Sequence, residues 1–206
     1  MGSEAASVEA GSSELEAGLN EDELPPAVRA VLDGYRAEVD RLNRRLAEVE
    51  LLADRDALTP VLNRRAFMRE LQRTIAFCDR YETTASLVFF DLDGFKGVND
   101  QYGHAAGDAA LQWVAATLSD HVRESDVVGR LGGDEFAVIL AQAPREAAQT
   151  KAAALAAAIQ SSPVVFQGRA FEVRTSYGVR PFEKGLDAAG LLAEADAAMF
   201  LRKGRR

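Results

Sequence analysis

Hydrophobic residues recur at alternating steps of four and three along residues 26–55. The repeat consists of Val28, Leu32, Tyr35, Val39, Leu42, Leu46, Val49 and Ala53. A seven-residue hydrophobic repeat sustained over three heptads favours a coiled coil, because it lines one face of a helix with the side chains that pair two helices. An amphipathic helix packed on its own domain is the alternative interpretation. We expect an N-terminal coiled-coil helix that dimerises the chain.

Beyond Asp56 the pattern changes to short apolar strands separated by amphipathic helices. It predicts helices at 63–80, 105–122, 145–160 and 187–203, and strands in SLVFFDLD (86–93), DVVGRL (126–131), DEFAVIL (134–140) and FEVRTSYGVR (171–180). Gly132 and Gly133 between two of these strands are typical of a two-residue hairpin turn. The core order, β-α-β-β-α-β, is that of an α+β, ferredoxin-like sheet with surrounding helices.

The composition suits a soluble protein with a sizeable core, since 48% of the 206 residues are hydrophobic and 27% are charged. No apolar run approaches the roughly 20 residues that cross a bilayer, and the N-terminus lacks the apolar core of a signal peptide. We therefore expect a cytoplasmic protein without a membrane partner. The single cysteine, Cys78, excludes an intrachain disulfide and is expected to be a buried apolar side chain.

The net charge of −8 is concentrated at the N-terminus. Residues 1–25 carry seven acidic residues and no Lys or Arg, so the remaining chain carries a net charge of about −1. Few large apolar groups accompany these acids, and we expect 1–25 to be a disordered acidic tail. The nearly neutral remainder has no broad basic surface, which argues against a nucleic-acid partner but leaves room for a small phosphate ligand.

Two acid pairs flank neighbouring strands. FFDLD ends its strand with Asp91 and Asp93, and GGDEF begins another with Asp134 and Glu135. If the two strands are antiparallel neighbours, these carboxylates meet at one edge of the sheet and repel one another unless a cation lies between them. Magnesium prefers such oxygen ligands. The alternative is purely structural, because polar residues commonly flank a hairpin turn.

Between the acid pairs lies GFKGVNDQYGHAAGD (94–108), which offers the groups that a nucleotide requires. Lys96 suits a phosphate, and Asn99 with Asp108 supplies the donor and acceptor for a guanine edge. Each residue also has an ordinary structural interpretation, such as a solvated lysine, a turn asparagine or a helix-capping aspartate. Their joint occurrence between two acid pairs favours the nucleotide site.

Taken in order, these motifs resemble the GGDEF family of diguanylate cyclases. The resemblance spans 56–206 and rests on DALTPVLNRRAF, FFDLDGFKGVNDQYGHAAGD, RLGGDEFAVIL, SYGV and ADAAMFLRK. It implies a palm-like, nucleotidyl-cyclase-like version of the ferredoxin-like fold. It also implies condensation of two GTP molecules to cyclic di-GMP and two pyrophosphates by a magnesium-dependent homodimer, with manganese as an alternative ion.

The resemblance assigns roles to individual residues. Asp91, Asp134 and the Leu92 carbonyl correspond to the metal ligands, Asp134 also to the proton acceptor with Glu135 beside it, and Lys96 to a transition-state contact. The positions that correspond to substrate contacts are Asn99, His104, Asp108, Arg130, Lys203 and Arg205, with Arg206 as the alternative to Arg205.

In a further motif, RESD (123–126), five residues separate Asp126 from Gly132, which matches the placement of the family's inhibitory product site. The resemblance implies that Arg123 and Asp126 bind cyclic di-GMP and arrest the enzyme. The alternative interpretation is structural, since an arginine at a helix end followed by an aspartate in a turn would give the same R-x-x-D pattern. The family often adds an arginine from the following helix, where this chain has alanines at 152–154 next to Lys151.

The predicted organisation is therefore a disordered acidic tail (1–25), a coiled-coil dimerisation helix (26–55) and a GGDEF domain (56–206). The sequence shows no sensor or receiver domain, which leaves room for control by a regulatory protein partner. The competing hypothesis is a noncatalytic cyclic di-GMP receptor or interaction module that uses only Arg123 and Asp126.

Overall fold

The computed structural model of the protein describes residues 25–183 and 185–203, and the side chains of Arg44 and of 46–53 lie outside that description. The chain divides into two units, Met1–Leu51 and Leu52–Arg206. The elements in chain order are α1 (Pro26–Asp54), β1 (Leu62–Asn63), α2 (Arg64–Tyr81), β2 (Ala85–Leu92), α3 (Phe95–Tyr102), α4 (His104–Asp120), β3 (Val127–Arg130), β4 (Glu135–Ala141), α5 (Arg145–Gln160), β5 (Val164–Phe166), β6 (Arg169–Phe171), β7 (Thr175–Pro181) and α6 (Ala188–Lys203).

A five-stranded sheet organises the second unit, in the order β1-β3-β4-β2-β7. Strand β2 pairs antiparallel with β4 on one side and with β7 on the other, while the short β1 pairs parallel with β3. The predicted α+β fold with a central sheet and surrounding helices is confirmed, as is the adjacency of the two strands that carry the acid pairs.

Strand β2 is buried on both faces, as its unbroken apolar sequence predicted. Val88 and Phe90 point into the core that helices α4 and α5 cover, whereas Leu87 and Phe89 point into the core beneath α2 and α6. Side chains of a strand alternate between its two faces, so the strand anchors both cores at once. The residues at its end are therefore held by packing on either side.

Two details of the predicted elements are wrong. FEVRTSYGVR is not one strand, because its first residue ends β6 in a separate two-stranded ribbon and the sheet strand β7 begins at Thr175. Helix α3 was not predicted at all. None of its residues is fully buried, and its apolar stripe is limited to Phe95, Val98 and Tyr102, which is too short for a helix to be recognised from the sequence.

Helix α6 packs against β7 at a glycine. A Cβ atom at Gly178 would lie 2.1 Å from the Ala195 carbonyl oxygen and 2.4 Å from the Met199 amide nitrogen. Only a residue without a side chain allows the helix backbone this close to the strand. The contact fixes the position of α6, and with it the position of Lys203 at the end of the helix.

Helix α1 carries large apolar side chains that are exposed, namely Val28, Val31, Tyr35, Val39 and Leu42. Of the remaining heptad positions, Leu32 is partly buried, whereas Leu46, Val49 and Ala53 lie outside the described side chains. The predicted coiled coil therefore stays a prediction, and most of the predicted tail, 1–24, also lies outside the described residues. Within the described part of the chain, no helix combines the length and apolarity that a membrane span requires. Cys78 is buried, as expected.

Gly178→Ala should destabilise the second unit, because the added methyl group would overlap the backbone of α6. Overpacking of this kind costs about 2 kcal/mol of unfolding free energy, measurable as a lower urea midpoint. Gly97→Ala is the matched control, since a Cβ there meets nothing within 4 Å. Equal midpoints for the Gly178 variant and the unsubstituted chain would contradict the packing described here.

Candidate active site

The two acid pairs meet at one end of the central sheet. In the antiparallel register of β2 and β4, Asp91 lies opposite Glu135, and the Leu92 amide donates a 3.2 Å hydrogen bond to the carbonyl oxygen of Asp134. The predicted convergence of carboxylates from separate strands is therefore confirmed. Asp91, Asp134 and Glu135 are all partly exposed, so a ligand can reach them.

The electrostatics of Glu135 show how closely the acids are gathered. Burial raises the pKa of the Glu135 carboxyl, and the negative charges of Asp134, Asp196 and Asp91 raise it further, while Arg64 opposes them. Mutual repulsion of this kind favours a bound cation, because a positive charge between carboxylates removes the penalty for ionising them.

Lys203 supplies one such positive charge from a distant element. Its ammonium group donates a hydrogen bond to the Asp91 carboxylate and lies 3.8 Å from Asp93 Oδ1. The hydrogen bond to Asp91 raises the pKa of Lys203, with smaller contributions from the charges of Asp93 and Asp134. The predicted substrate lysine is thus brought directly to the acid cluster. Asp93 is also tied to the sheet, because Ser176 Oγ donates to Asp93 Oδ1 at 2.7 Å.

The donor set suits a hard divalent cation in its chemistry. Asp91, Asp134 and the Leu92 carbonyl are oxygen donors at one strand end, in surroundings that hold excess negative charge. In 25–183 and 185–203, however, no three acidic, His or Cys side chains lie in an arrangement that could hold a metal. The two carboxylates and the carbonyl oxygen therefore fit a metal by donor type, and Lys203 occupies the Asp91 carboxylate in this structure.

Gly132 contributes space rather than a special backbone conformation. Arg130 pairs with Phe136, and the Leu131 amide donates to the Glu135 carbonyl oxygen at 2.8 Å, so residues 132–134 form the turn. The predicted two-residue hairpin is therefore wrong, and neither glycine of the turn has a positive φ. A Cβ at Gly132 would lie 2.3 Å from Glu135 Oε2. The glycine leaves room for that carboxylate to lie against the turn.

Two arginines hold this turn in place. Arg130 donates to the Gly133 carbonyl oxygen at 2.7 Å and to Asp56 Oδ1 at 3.0 Å, and Arg64 donates to the Leu131 carbonyl oxygen at 3.2 Å. Both contacts of the Arg130 guanidinium are within the protein, which favours a positioning role over the predicted substrate contact. Burial alone would raise the pKa of Asp56, but hydrogen bonds from Thr59 and Arg130 outweigh it and lower the pKa.

The predicted guanine-binding residues lie together on α3 and α4, directly after the acidic end of β2. Asn99 lies over Gly107, where a Cβ would come within 2.0 Å of Asn99 Oδ1. Asp108 follows on the same helix, and His104 begins it after Gly103, which has a φ of 86°. Both are exposed, as is Lys96 on α3, whereas Asn99 is partly buried.

The residues of RESD lie apart from the acid cluster, at the turn between α4 and β3. Asp126 accepts hydrogen bonds from the Ala141 amide on Oδ1 and from the Arg123 amide on Oδ2, both at 3.0 Å. Asp126 therefore fixes the backbone of Arg123. The two residues line a pocket of about 420 Å³ together with residues of β4 and α5.

Arg64 and Asp196 are site residues that sequence reasoning missed. Both act on Glu135 electrostatically, Arg64 from the start of α2 and Asp196 from α6. The segments NRRAF and ADAAMF, in which they occur, contain no recognisable catalytic or binding motif. Only the packing of the two helices places these residues near Glu135. The predicted Arg205 and its alternative Arg206 lie outside the described residues.

Asp56→Asn should lower the free energy of unfolding at pH 7 by about 1 kcal/mol, because it keeps the shape but removes the charge that pairs with the partly solvated Arg130. The folded-state pKa of Asp56 is lowered. Its ion pair therefore stabilises the fold above the ordinary aspartate pKa of about 3.9 and loses that effect as pH falls through the lowered value.

Urea unfolding at pH 7 and pH 3 measures this difference, which should shrink at the lower pH. Glu70→Gln, which breaks the exposed pair with Arg73, serves as the control and should change little at either pH. An Asp56 variant with an unchanged midpoint at pH 7 would rule out a stabilising clamp.

Known proteins are similar to this chain in sequence and in fold. Residues 53–206 match the family model described as diguanylate cyclase, GGDEF domain. The diguanylate cyclase TpbB of Pseudomonas aeruginosa is 35% identical over 191 residues, which cover 91% of this chain and 44% of TpbB. The chain spans less than half the length of the curated relatives that it matches.

Solved structures of GGDEF-domain proteins are also similar to this chain. The coiled coil and GGDEF domain of DgcB from Caulobacter crescentus, in complex with c-di-GMP, is 29% identical with a TM-score of 0.75, covering 86% of this chain and 95% of that one. The diguanylate cyclase SiaD of Pseudomonas aeruginosa, in complex with its activator SiaC, is 27% identical with a TM-score of 0.72, covering 98% of this chain and 78% of that one. This chain belongs to the diguanylate cyclase GGDEF-domain family.

Proposed function

We propose that this chain is a diguanylate cyclase, which condenses two GTP molecules to cyclic di-GMP and two pyrophosphates as a homodimer. The observation that carries the proposal is the meeting of Asp91, Asp134 and Glu135 at adjacent strand ends, with Lys203 beside them. Four clustered charges of this kind, in a chain of this family, suit a site for a metal ion and a triphosphate.

Asp91, Asp134 and the carbonyl oxygen of Leu92 would hold magnesium, or manganese in its place. Such an ion, when bound, polarises the phosphoryl oxygens and neutralises the charge that develops on the leaving pyrophosphate. Lys203 and Lys96 provide the cations of the chain itself for the phosphates. Lys203 reaches the cluster already, and its ammonium group can contact a phosphate oxygen in place of Asp91.

The acidic pair of the turn also suits proton transfer. The attacking 3′-hydroxyl must lose its proton as it bonds to the α-phosphate of the opposing nucleotide, and Asp134 with Glu135 can accept that proton. Burial and neighbouring charges raise the pKa of Glu135, which makes its carboxylate a stronger base than an exposed glutamate. Arg130 and Arg64 act through the turn by holding its backbone.

Guanine selection is assigned to the corner of α3 and α4. The Asn99 amide and the Asp108 carboxylate supply both donors and an acceptor for the guanine edge, and His104 lies at the same corner. Gly107 lets Asn99 lie flat against α4, so the orientation of the amide is set before the base arrives.

A homodimer is required because the product joins two nucleotides while one acid cluster serves one triphosphate. The exposed apolar side chains of α1 at heptad positions, Val28, Tyr35, Val39 and Leu42, provide a surface for a second copy. Pairing through α1 would raise the effective concentration of one GGDEF domain at the other. The DgcB structure, which contains a coiled coil with its GGDEF domain, supports this arrangement.

Regulation is proposed at two places. Arg123 and Asp126 would bind cyclic di-GMP and inhibit the enzyme, which their pocket outside the acid cluster supports. A regulatory protein partner acting through the N-terminal region is the second proposal, supported by the SiaD structure with its activator SiaC. The separate pocket also favours the competing function, a noncatalytic cyclic di-GMP receptor, which turnover measurements distinguish.

Asp134→Asn should abolish product formation from GTP and magnesium, with a loss of about a hundredfold or more, because it removes both a ligand charge and a proton acceptor. Chromatographic quantification of cyclic di-GMP measures the loss. Asp120→Asn, at the exposed end of α4, is the matched control and should retain activity. Cyclic di-GMP binding without turnover in the unsubstituted chain would favour the receptor.

Val39→Glu combined with Leu42→Glu should lower specific activity at dilute protein, because charges in the heptad seam oppose pairing of α1. Activity should recover as protein concentration rises. Ala30→Glu with Ala37→Glu adds the same charges at exposed positions outside the repeat and should leave activity unchanged. Deletion of 1–52 should act like the seam variant. Unchanged specific activity of both at every concentration would refute dimerisation through this helix.

A further inference from the structure

The pocket beside Arg123 is bounded by three elements. The turn after α4 contributes Arg123 and Asp126, the end of β4 contributes Leu140 and Ala141, and α5 contributes a further wall. Its volume of about 420 Å³ lies within the range of small-molecule sites, about 300–1,000 Å³. This pocket is large enough for much of a nucleotide and is open to solvent.

Helix α5 presents one stripe to this pocket. Ala147, Lys151 and Ala154 follow at steps of four and three, so they lie on one face of the helix, and all three line the pocket. The two alanines of this stripe carry no polar group, so the positive charge of the stripe comes from Lys151. Thr150 also lines the wall, but its hydroxyl donates to the Glu146 carbonyl oxygen at 3.1 Å.

The charges of the pocket are not neutralised internally. Asp126 directs one oxygen to the Ala141 amide and the other to the Arg123 amide, so each carboxylate oxygen already accepts a backbone hydrogen bond. Within the described residues, the side chains of Arg123 and Lys151 have no hydrogen-bond or ion-pair partner. The cavity is therefore lined by two available cations from different elements, which together outnumber the carboxylate.

We infer that Lys151 is the second phosphate-binding cation of this pocket and contacts a phosphodiester of cyclic di-GMP opposite Arg123. The inference rests on the proposed product binding at Arg123 and Asp126. It assigns to Lys151 the positive charge from α5 that the alanines at 152–154 do not supply. Lys151 is partly buried at the wall of the pocket and can offer a charged hydrogen-bond donor to a bound anion.

Isothermal titration of the full chain with cyclic di-GMP tests this assignment. Lys151→Ala should weaken binding about tenfold, the usual effect of losing a hydrogen bond to a charged group, and should reduce the salt dependence of the dissociation constant. Lys151→Arg should restore binding, because it keeps the charge. Arg145→Ala removes a cation from the same helix outside the pocket, where Arg145 lies 4.0 Å from Glu183, and should leave binding unchanged.

Titration with GTP under the same conditions without metal distinguishes a dinucleotide site from a general phosphate site. A Lys151→Ala effect confined to cyclic di-GMP supports the inference, whereas an equal effect on GTP overturns the assignment to product. The inference also fails if Lys151→Ala binds cyclic di-GMP as tightly as the unsubstituted chain, or if that chain does not bind it. Turnover of GTP by the unsubstituted chain tests the proposed catalysis separately. The catalytic proposal and the assignment of Lys151 can therefore fail independently of each other.

Discussion

Repulsion among carboxylates at the shared end of β2 and β4 is the constraint on which the rest of the site depends. The antiparallel register places Asp91 opposite Glu135, and the pKa of Glu135 rises in response to burial and the surrounding acids. A folded chain tolerates this arrangement because Lys203 contributes a compensating charge. The same imbalance prepares the site for a cation and for the phosphates that accompany it.

Rigid packing keeps the acids together against that repulsion. Strand β2 is clamped between two hydrophobic cores, so the end that carries Asp91 cannot move away. Arg130 and Arg64 hold the turn of β4 from outside, and Gly178 lets α6 approach closely enough for Lys203 to reach the cluster. These contacts come from different elements of the fold, but all of them position the same few acidic side chains and Lys203.

Much of the fold was predictable, because its signals are local. An unbroken apolar run predicted the buried strand β2, and the periodicity of apolar residues predicted the amphipathic helices. Helix α3 escaped prediction because it is short and its few apolar side chains are only partly buried. The turn at Gly132 was misjudged because that glycine leaves space for Glu135 instead of adopting a left-handed backbone.

The sequence by itself determined which chemical groups this protein brings to its site, and that one acid pair would end a strand while the other begins one. Tertiary structure alone decided their partners. Lys203 binds Asp91 across 112 residues, and Arg130 binds Asp56 across 74. It also turned Asp126 toward two backbone amides and placed Lys151 and Arg123 in the wall of one cavity. Such contacts depend on how helices pack on the sheet, and no periodicity along the chain encodes the distance between side chains so far apart in it.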